Sequence, residues 1–169
     1  MADPRIHLEN LLTRREDLQS LAEAVWSAYL VTEAAYASGK KLLLCGNGGS
    51  AADAEHIAGE LLKGFLKRRP VEEALKERLA AVGGEEGKKI AHLLQQGMPA
   101  VSLVSHTSVG TAVTNDISGD MIFAQQVNAL GQAGDVLWAL STSGNSRNVV
   151  AAVIVAKARD MKVVAFTGQ

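Results

Sequence analysis

Cysteine and aromatic residues are scarce in this chain of 169 residues. A single cysteine, Cys45, excludes an internal disulfide and a cysteine-based zinc knuckle. Two Trp, two Tyr and three Phe are too few for an aromatic platform that stacks nucleic-acid bases. No apolar run approaches the roughly 18 residues that cross a membrane, and the N-terminus lacks the apolar core of a secretion signal.

An excess of one charge sign is also missing, since 17 Lys and Arg face 18 Asp and Glu, for a net charge of −1. This balance gives no support to nucleic acid or an anionic membrane as a partner. Apolar residues make up 47% of the chain, as is typical of globular proteins. We therefore expect a soluble, cytoplasmic protein in which residues 1–169 form a single domain.

Short apolar runs alternate with helical stretches along most of the chain. Near-continuous apolar runs of this length are typical of buried parallel strands. Their alternation with helices predicts an α/β fold with a doubly wound parallel sheet, in which ligands bind at the carboxyl ends of the strands. The predicted strands are 41–45, 100–104, 135–140 and 162–166, and the predicted helices between them are 50–63, 118–130 and 146–159.

Two further helical regions are predicted outside this alternation. Residues 5–38 lack Gly and Pro, which predicts an N-terminal arm of two helices with a break at 13–17. Gly39 ends the second of these helices. A second subunit, or the chain's own sheet, must cover the apolar residues of this arm. Residues 70–96 form an insert of two short helices joined at Gly83-Gly84. The basic run at 63–70, which precedes the insert, either forms a solvated linker or attracts an anionic substrate.

A glycine loop follows the first predicted strand and contains Asn47, Gly48, Gly49 and Ser50. Glycines let a backbone approach a ligand closely, and the start of the next helix offers free N–H groups and a positive dipole end. Ser50 can cap that helix. The loop also matches a dinucleotide fingerprint, but the next strand lacks the acid that holds the ribose, and the crossover exceeds the usual ~30 residues. We therefore favour a site for a smaller anion.

A hydroxyl-rich loop follows the third predicted strand. It supplies four hydroxyls in six positions, which is more than one helix cap needs and suits a phosphate group. Ordinary capping together with a turn remains the alternative. After the second strand, residues 105–108 again carry hydroxyls, and Asp116 could either accept sugar hydroxyls or cap the following helix. The hydroxyls of the third loop are those of Ser141, Thr142, Ser143 and Ser146.

His56 and Glu60 stand four residues apart on the helix that follows the glycine loop, so they share one face. Such a pair suits general acid–base catalysis, forms half of a metal site, or is simply a surface ion pair. Glu60 lies ten residues beyond Ser50, roughly 15 Å along the helix. A ligand held at the loop would not reach the Glu60 of the same chain, so the spacing favours a site shared between subunits.

The segments CGNGGSAADAEHIAGEL and STSGNSRNVV, with Asn115-Asp116 and Thr167-Gly168, resemble the sugar-isomerase (SIS) domain family and, within it, the phosphoheptose isomerases. The resemblance implies a flavodoxin-like strand order and a phosphorylated sugar as the substrate. It also implies isomerisation of a ketose phosphate, typically sedoheptulose 7-phosphate, to an aldose of the D-glycero-D-manno-heptose 7-phosphate type through an enediol. A homotetramer with sites between its subunits is implied as well.

The resemblance also assigns residues. Glu60 matches the catalytic base, and His56 matches a position that helps bind zinc in some members. His56 and Glu60 are therefore the candidate zinc ligands, and zinc is the candidate cofactor without being an established requirement. Asn47 and Asp116 match sugar-contacting positions, with Gly48 and Gly49 in the same loop. The matches to phosphate-binding hydroxyls are Ser50, Ser141, Thr142, Ser143 and Ser146.

The resemblance further implies a catalytic His, with a Gln nearby, on a C-terminal helix. Residues 1–169 contain neither that helix nor the strand before it, so we expect either an incomplete sequence or a domain that has lost catalysis. The alternative function is accordingly a non-catalytic SIS module that binds a phosphosugar or a protein partner. The insert at 70–96 leaves the identity of the sugar open.

Overall fold

The computed structural model describes residues 3–168, in which four parallel strands form one sheet. The strands are β1 (Leu42–Gly46), β2 (Ala100–Ser102), β3 (Val136–Ser141) and β4 (Lys162–Thr167). Their order in the sheet is β2-β1-β3-β4, so the chain adds β2 on one side of β1 and then crosses back to add β3 on the other side. This confirms the doubly wound α/β fold, with a flavodoxin-like order whose switch point lies between β1 and β3.

Helices connect these strands on both faces of the sheet. The predicted helices 50–63 and 146–159 are confirmed to within one residue. The stretch predicted as one helix at 118–130 instead begins as a 3₁₀ turn at Gly119–Met121. The helices are α1 (Arg5–Arg14), α2 (Ala22–Ala37), α3 (Gly49–Leu62), α4 (Glu73–Leu93), α5 (Thr107–Asp116), α6 (Ile122–Leu130) and α7 (Arg147–Ala158).

The sequence pattern does not predict helix α5. Its sequence, TSVGTAVTND, is rich in β-branched residues and contains Gly110, and both features lower helix propensity. The helix forms because Val113 packs into the core. Strand β2 is correspondingly shorter than predicted and ends at Ser102.

Every residue of β1 is buried, and alternate side chains serve two separate cores. Leu42 and Leu44 pack against α2 and α3 on one face. Leu43 and Cys45 pack against α6 and α7 on the other face. Burial raises the pKa of the Cys45 thiol to about 12, so this thiol acts as a small apolar core residue.

The N-terminal arm forms two helices, as predicted, with the break at Arg15 between α1 and a 3₁₀ turn at Glu16–Leu21. Helix α2 lies on the sheet, where Trp138 donates from Nε1 to Thr32 Oγ1 over 3.1 Å. All residues of α1 are exposed or half-buried, and Ile6 and Leu21 expose about half of their surface. The chain's own sheet therefore covers only the second half of the arm.

The insert is the predicted pair of helices joined at a glycine. Gly84 has φ 53° and ψ −129°, which interrupts α4 and turns the chain back on itself. Gly87 allows the second half to approach the backbone of Leu79 in the first half more closely than a Cβ would permit. Just before the insert, Arg69 donates from Nη2 to the carbonyl oxygens of Glu60 and Leu61 at the end of α3.

Within residues 3–168, none of the helices is both long enough and apolar enough to cross a lipid bilayer.

Candidate functional site

The loops after β1 and β3 lie side by side, because these strands are neighbours with Gly46 opposite Leu140. Asn47 lies in the first loop and Asn148 in the first turn of α7, just after the second loop. Their side-chain amides exchange a pair of hydrogen bonds, each 2.9 Å long. The glycine loop and the hydroxyl-rich loop are therefore brought together, and each leads into the start of a helix.

The glycine loop has a backbone that only glycine adopts readily. Gly48 has φ 57° and ψ −120° and occupies the N-cap position of α3. Gly46 packs against the backbone of Ser50, where an added Cβ would lie 2.7 Å from the Ser50 carbonyl oxygen. The prediction that Ser50 caps α3 is wrong, because the turn at Gly48 starts the helix before Ser50. As a result, the first turn of α3 begins without a side-chain cap.

The hydroxyl-rich loop gathers three serine oxygens. The Oγ of buried Ser141 lies 3.0 Å from that of Ser146 and 3.4 Å from that of Ser143. Ser146 holds the N-cap position of α7, but its hydroxyl contacts Ser141 rather than the α7 backbone. Thr142 is exposed. Ser143 Oγ accepts from the Asn145 N–H over 3.2 Å, so an ordinary turn accounts for Ser143. Capping does not account for Ser141 and Ser146, whose hydroxyls contact each other at the positive end of α7.

Asp116 is the last residue of α5 and is exposed. Its carboxylate accepts a hydrogen bond from Asn115 Nδ2 over 2.8 Å. The idea that it caps the following helix is wrong, because Ser118 caps that turn by accepting from the Asp120 N–H. Asn115 lines a cavity of about 770 Å³ that reaches the glycine loop at Asn47 and Gly48.

His56 and Glu60 lie in a different cavity, of about 470 Å³, with Asp53, Leu140 and Phe166. The His56 Nε2 and Glu60 Oε1 are 3.6 Å apart, and both side chains are exposed. A solvated ion pair of this kind contributes little to stability. The structure therefore keeps the predicted pair together, but it does not bring Glu60 into the cavity at the glycine loop.

His56 and Glu60 are too few ligands for a complete zinc site. They supply two of the four ligands that zinc usually takes. In the described part of the chain, no third His, Cys, Asp or Glu joins them in a cluster that could hold a metal. These two residues alone do not fit a closed zinc site.

Three polar residues at this end of the sheet were not singled out from the sequence. Asn148 bonds to Asn47 across the two loops. His106, which follows β2, bonds through Nδ1 to Gln126 of α6 over 2.6 Å. His106 could have been found from the sequence, because it directly follows a predicted strand. Gln126 and Asn148 could not, because only the fold brings them to their partners.

Comparison with known proteins places this arrangement in a family. The model of the SIS domain family matches residues 7–85 and 85–168. The chain is 44% identical to a phosphoheptose isomerase of Alteromonas mediterranea over 85% of its own length and 59% of that relative. A phosphoheptose isomerase of Thiobacillus denitrificans is 46% identical over 79% of this chain and 54% of its own length. The chain thus spans somewhat more than half of these relatives.

Two solved structures share the fold. Phosphoheptose isomerase GmhA of Neisseria gonorrhoeae has a TM-score of 0.71 at 36% identity, covering 98% of this chain and 72% of that one. A phosphoheptose isomerase of Francisella tularensis has a TM-score of 0.73 at 30% identity, covering 98% and 73%. The chain belongs to the SIS domain family and, within it, to the phosphoheptose isomerase group.

Proposed function

We propose that this chain is a phosphosugar aldose–ketose isomerase that converts sedoheptulose 7-phosphate to D-glycero-D-manno-heptose 7-phosphate. The main support is the pairing of a glycine loop and a serine loop on neighbouring strands, held by the Asn47–Asn148 contact. The names of the relatives point to the same substrate class.

The phosphate group binds at the loop after β3. Ser141, Ser143 and Ser146 present hydroxyls to its oxygens, and Thr142 and Ser50 add further donors from exposed and half-buried positions. The starts of α3 and α7 face the same region, so their dipoles favour a dianion. Gly48 and Gly49 let the backbone approach it, while Asn47 and Asp116 contact sugar hydroxyls.

Glu60 acts as the base in the chemical step. Its carboxylate removes a proton from C1 of the ketose, the C–H electron pair forms the C1–C2 double bond, and the C2 oxygen takes up a proton to give the enediol. Return of a proton to C2, with loss of the proton from the C1 hydroxyl, yields the aldose. His56, at 3.6 Å from the carboxylate, is the candidate acid of the pair.

A second copy of the chain completes the site. Glu60 lies about 15 Å along α3 from Ser50, too far for a sugar phosphate bound at its own loops. The exposed apolar residues of α1 provide a surface for such contacts. We therefore propose a homo-oligomer, with a tetramer as the expected form, in which one copy binds the phosphate and another supplies Glu60.

Proton exchange in heavy water tests this function directly. The chain is incubated with sedoheptulose 7-phosphate, and the sugar is followed by NMR. We expect deuterium to enter at C1 or C2, and Glu60→Gln to slow this exchange by about 100-fold or more. Glu55→Gln is the matched control, because Glu55 lies on the same helix and bonds to Ser105 instead. Equal exchange by the Glu60→Gln variant would remove Glu60 from the role of base. Binding of the sugar without exchange would leave two interpretations, a non-catalytic module or an enzyme whose C-terminal helix lies outside residues 1–169. Repeating the exchange with the product of the extended gene would decide between them.

A further inference from the structure

His106 is anchored by a buried side chain whose orientation is fixed. Gln126 is 3% exposed, and its Nε2 donates to the carbonyl oxygens of Leu103 over 2.9 Å and of Ile122 over 3.1 Å. Turning the amide over would place its oxygen against two carbonyl oxygens. The Oε1 atom must therefore face His106, and it does so at 2.6 Å from Nδ1.

This contact selects one tautomer of the imidazole. Oε1 is only an acceptor, so Nδ1 must carry the hydrogen. In the neutral ring, Nε2 then holds a lone pair and acts as a hydrogen-bond acceptor. No partner for Nε2 is found among residues 3–168. The ring is half-buried and lines the cavity, and buried Gln126 occupies its Nδ1 edge. We infer that Nε2 is the ring atom available to a ligand in that cavity.

That cavity presents further acceptors. Thr111 Oγ1 uses its hydrogen on the carbonyl oxygens of Thr107 and Ser108, and Thr114 Oγ1 uses its hydrogen on Gly110. The lone pairs of these oxygens remain, and both threonines line the cavity. A wall of acceptors suits a ligand that offers several O–H donors, which is the chemistry of a polyhydroxylated chain.

The distance from the serine loop suits a long sugar. The cavity lies at the ends of β1 and β2, whereas the serine loop follows β3 on the other side of β1. Two strand spacings separate β2 from β3, or about 10 Å. With C–C bonds of about 1.5 Å, a seven-carbon chain extended from a phosphate covers a distance of this order. A three-carbon phosphate does not.

We propose that His106 is a specificity-determining residue for the sugar chain, whose Nε2 accepts a hydrogen bond from a substrate hydroxyl, and that Gln126 is its positioning residue. This inference rests on the proposed function, because it takes the phosphate to be bound at the serine loop. It adds a contact that recognises the length of the sugar rather than its charge.

Calorimetry with two ligands tests the contact with His106. Sedoheptulose 7-phosphate reaches the cavity, and glycerol 3-phosphate reaches only the serine loop. We expect His106→Phe, which keeps a ring and removes the acceptor, to weaken the binding of sedoheptulose 7-phosphate by about fivefold to tenfold. Its affinity for glycerol 3-phosphate should not change. His92→Phe, at an exposed position of the insert, is the matched control.

The outcomes separate this inference from the proposed function. If the unmodified chain binds the heptose ligand and His106→Phe binds it equally well, the His106 contact is refuted while the function stands. Equal losses for both ligands would mean that His106 supports the fold or the phosphate site, which also overturns the inference. If the unmodified chain binds the heptose ligand no better than glycerol 3-phosphate, the function and the inference fail together.

Nitrogen-15 NMR of the histidine rings tests the positioning role without a variant of His106. We expect the free chain to show His106 with hydrogen on Nδ1, and the Nε2 signal to shift when sedoheptulose 7-phosphate is added but not when glycerol 3-phosphate is added. In Gln126→Met the signals should indicate a mixture of tautomers. A single Nε2–H tautomer in the unmodified chain would overturn the assignment.

Discussion

Asn47 and Asn148 lie 101 positions apart in the sequence, yet their side-chain amides face each other and exchange two hydrogen bonds of 2.9 Å. Asn47 belongs to the loop after β1, and Asn148 lies in the first turn of α7. The pair fixes the spacing between the two helix starts at which we propose that the phosphate binds.

Asn148→Ala should therefore weaken the binding of inorganic phosphate about threefold to tenfold, because the loops lose their mutual contact and must be ordered by the ligand. Calorimetry measures the affinity. Asn10→Ala, at an exposed site on α1, serves as the control. Unchanged phosphate binding by Asn148→Ala would mean that the amide pair does not organise the site.

Ser143→Ala should weaken the binding of sedoheptulose 7-phosphate by about tenfold, since a hydrogen bond to a charged group contributes about 1.5 kcal/mol or more. The melting temperature should hardly move, because Ser143 is exposed. Ser27→Ala, on the exposed side of α2, provides the comparison. If both variants bind the ligand as tightly as the parent chain, the phosphate lies elsewhere.

The amino ends of β1 and β3 are joined by an ion pair, far from the serine loop. Asp135 is 1% exposed and accepts from Lys41 Nζ over 2.5 Å and from the backbone N–H groups of Lys41 and Gln132. Burial alone would raise the pKa of Asp135, but these hydrogen bonds outweigh it, so the pKa is lowered. The carboxylate therefore stabilises the folded state at neutral pH.

Asp135→Asn should lower the free energy of unfolding at pH 7 by about 2 kcal/mol. Because the folded pKa lies below the unfolded value of about 3.9, the contribution is present above pH ~4 and is lost as the pH falls through the folded pKa. Thermal unfolding is measured between pH 7 and pH 3. The difference in stability between the unmodified chain and Asp135→Asn should narrow below pH ~4. Asp17→Asn, in an exposed pair, should show little difference at any pH. A constant gap for Asp135→Asn across the range would contradict this assignment.

Gly48→Ala should destabilise the chain by about 1–3 kcal/mol, because its backbone conformation is one that residues with a Cβ rarely adopt. Gly59→Ala lies in the interior of α3 with open space around the added Cβ, and it should stabilise the chain by about 0.5–1 kcal/mol. Denaturant unfolding of both variants measures the contrast. Equal effects would show that the turn at residue 48 relaxes freely.

Much of the fold could be predicted from local patterns. The apolar runs of β1 and β3 and the glycine break at Gly84 predict their structures because burial and backbone conformation are read directly from residue type. Helix α5 could not be predicted in this way, since its propensity is poor and the packing of Val113 decides its structure. The prediction that Ser50 caps α3 is wrong for a related reason. The turn at Gly48 starts the helix, and the conformation of that turn depends on the backbone around it.

The α/β class, the glycine loop, the hydroxyl-rich loop and the His56–Glu60 spacing follow from the amino-acid sequence alone, because each depends on neighbours within one turn, strand or loop. Which distant side chains meet depends on the three-dimensional packing of the elements. Strand order brings the loops after β1 and β3 together and joins Asn47 to Asn148. Hydrogen bonds join Gln126 of α6 to the carbonyl oxygen of Leu103, just after β2, and to His106. Those contacts depend on hydrogen bonds and close packing between elements far apart in the chain, which periodicity does not encode.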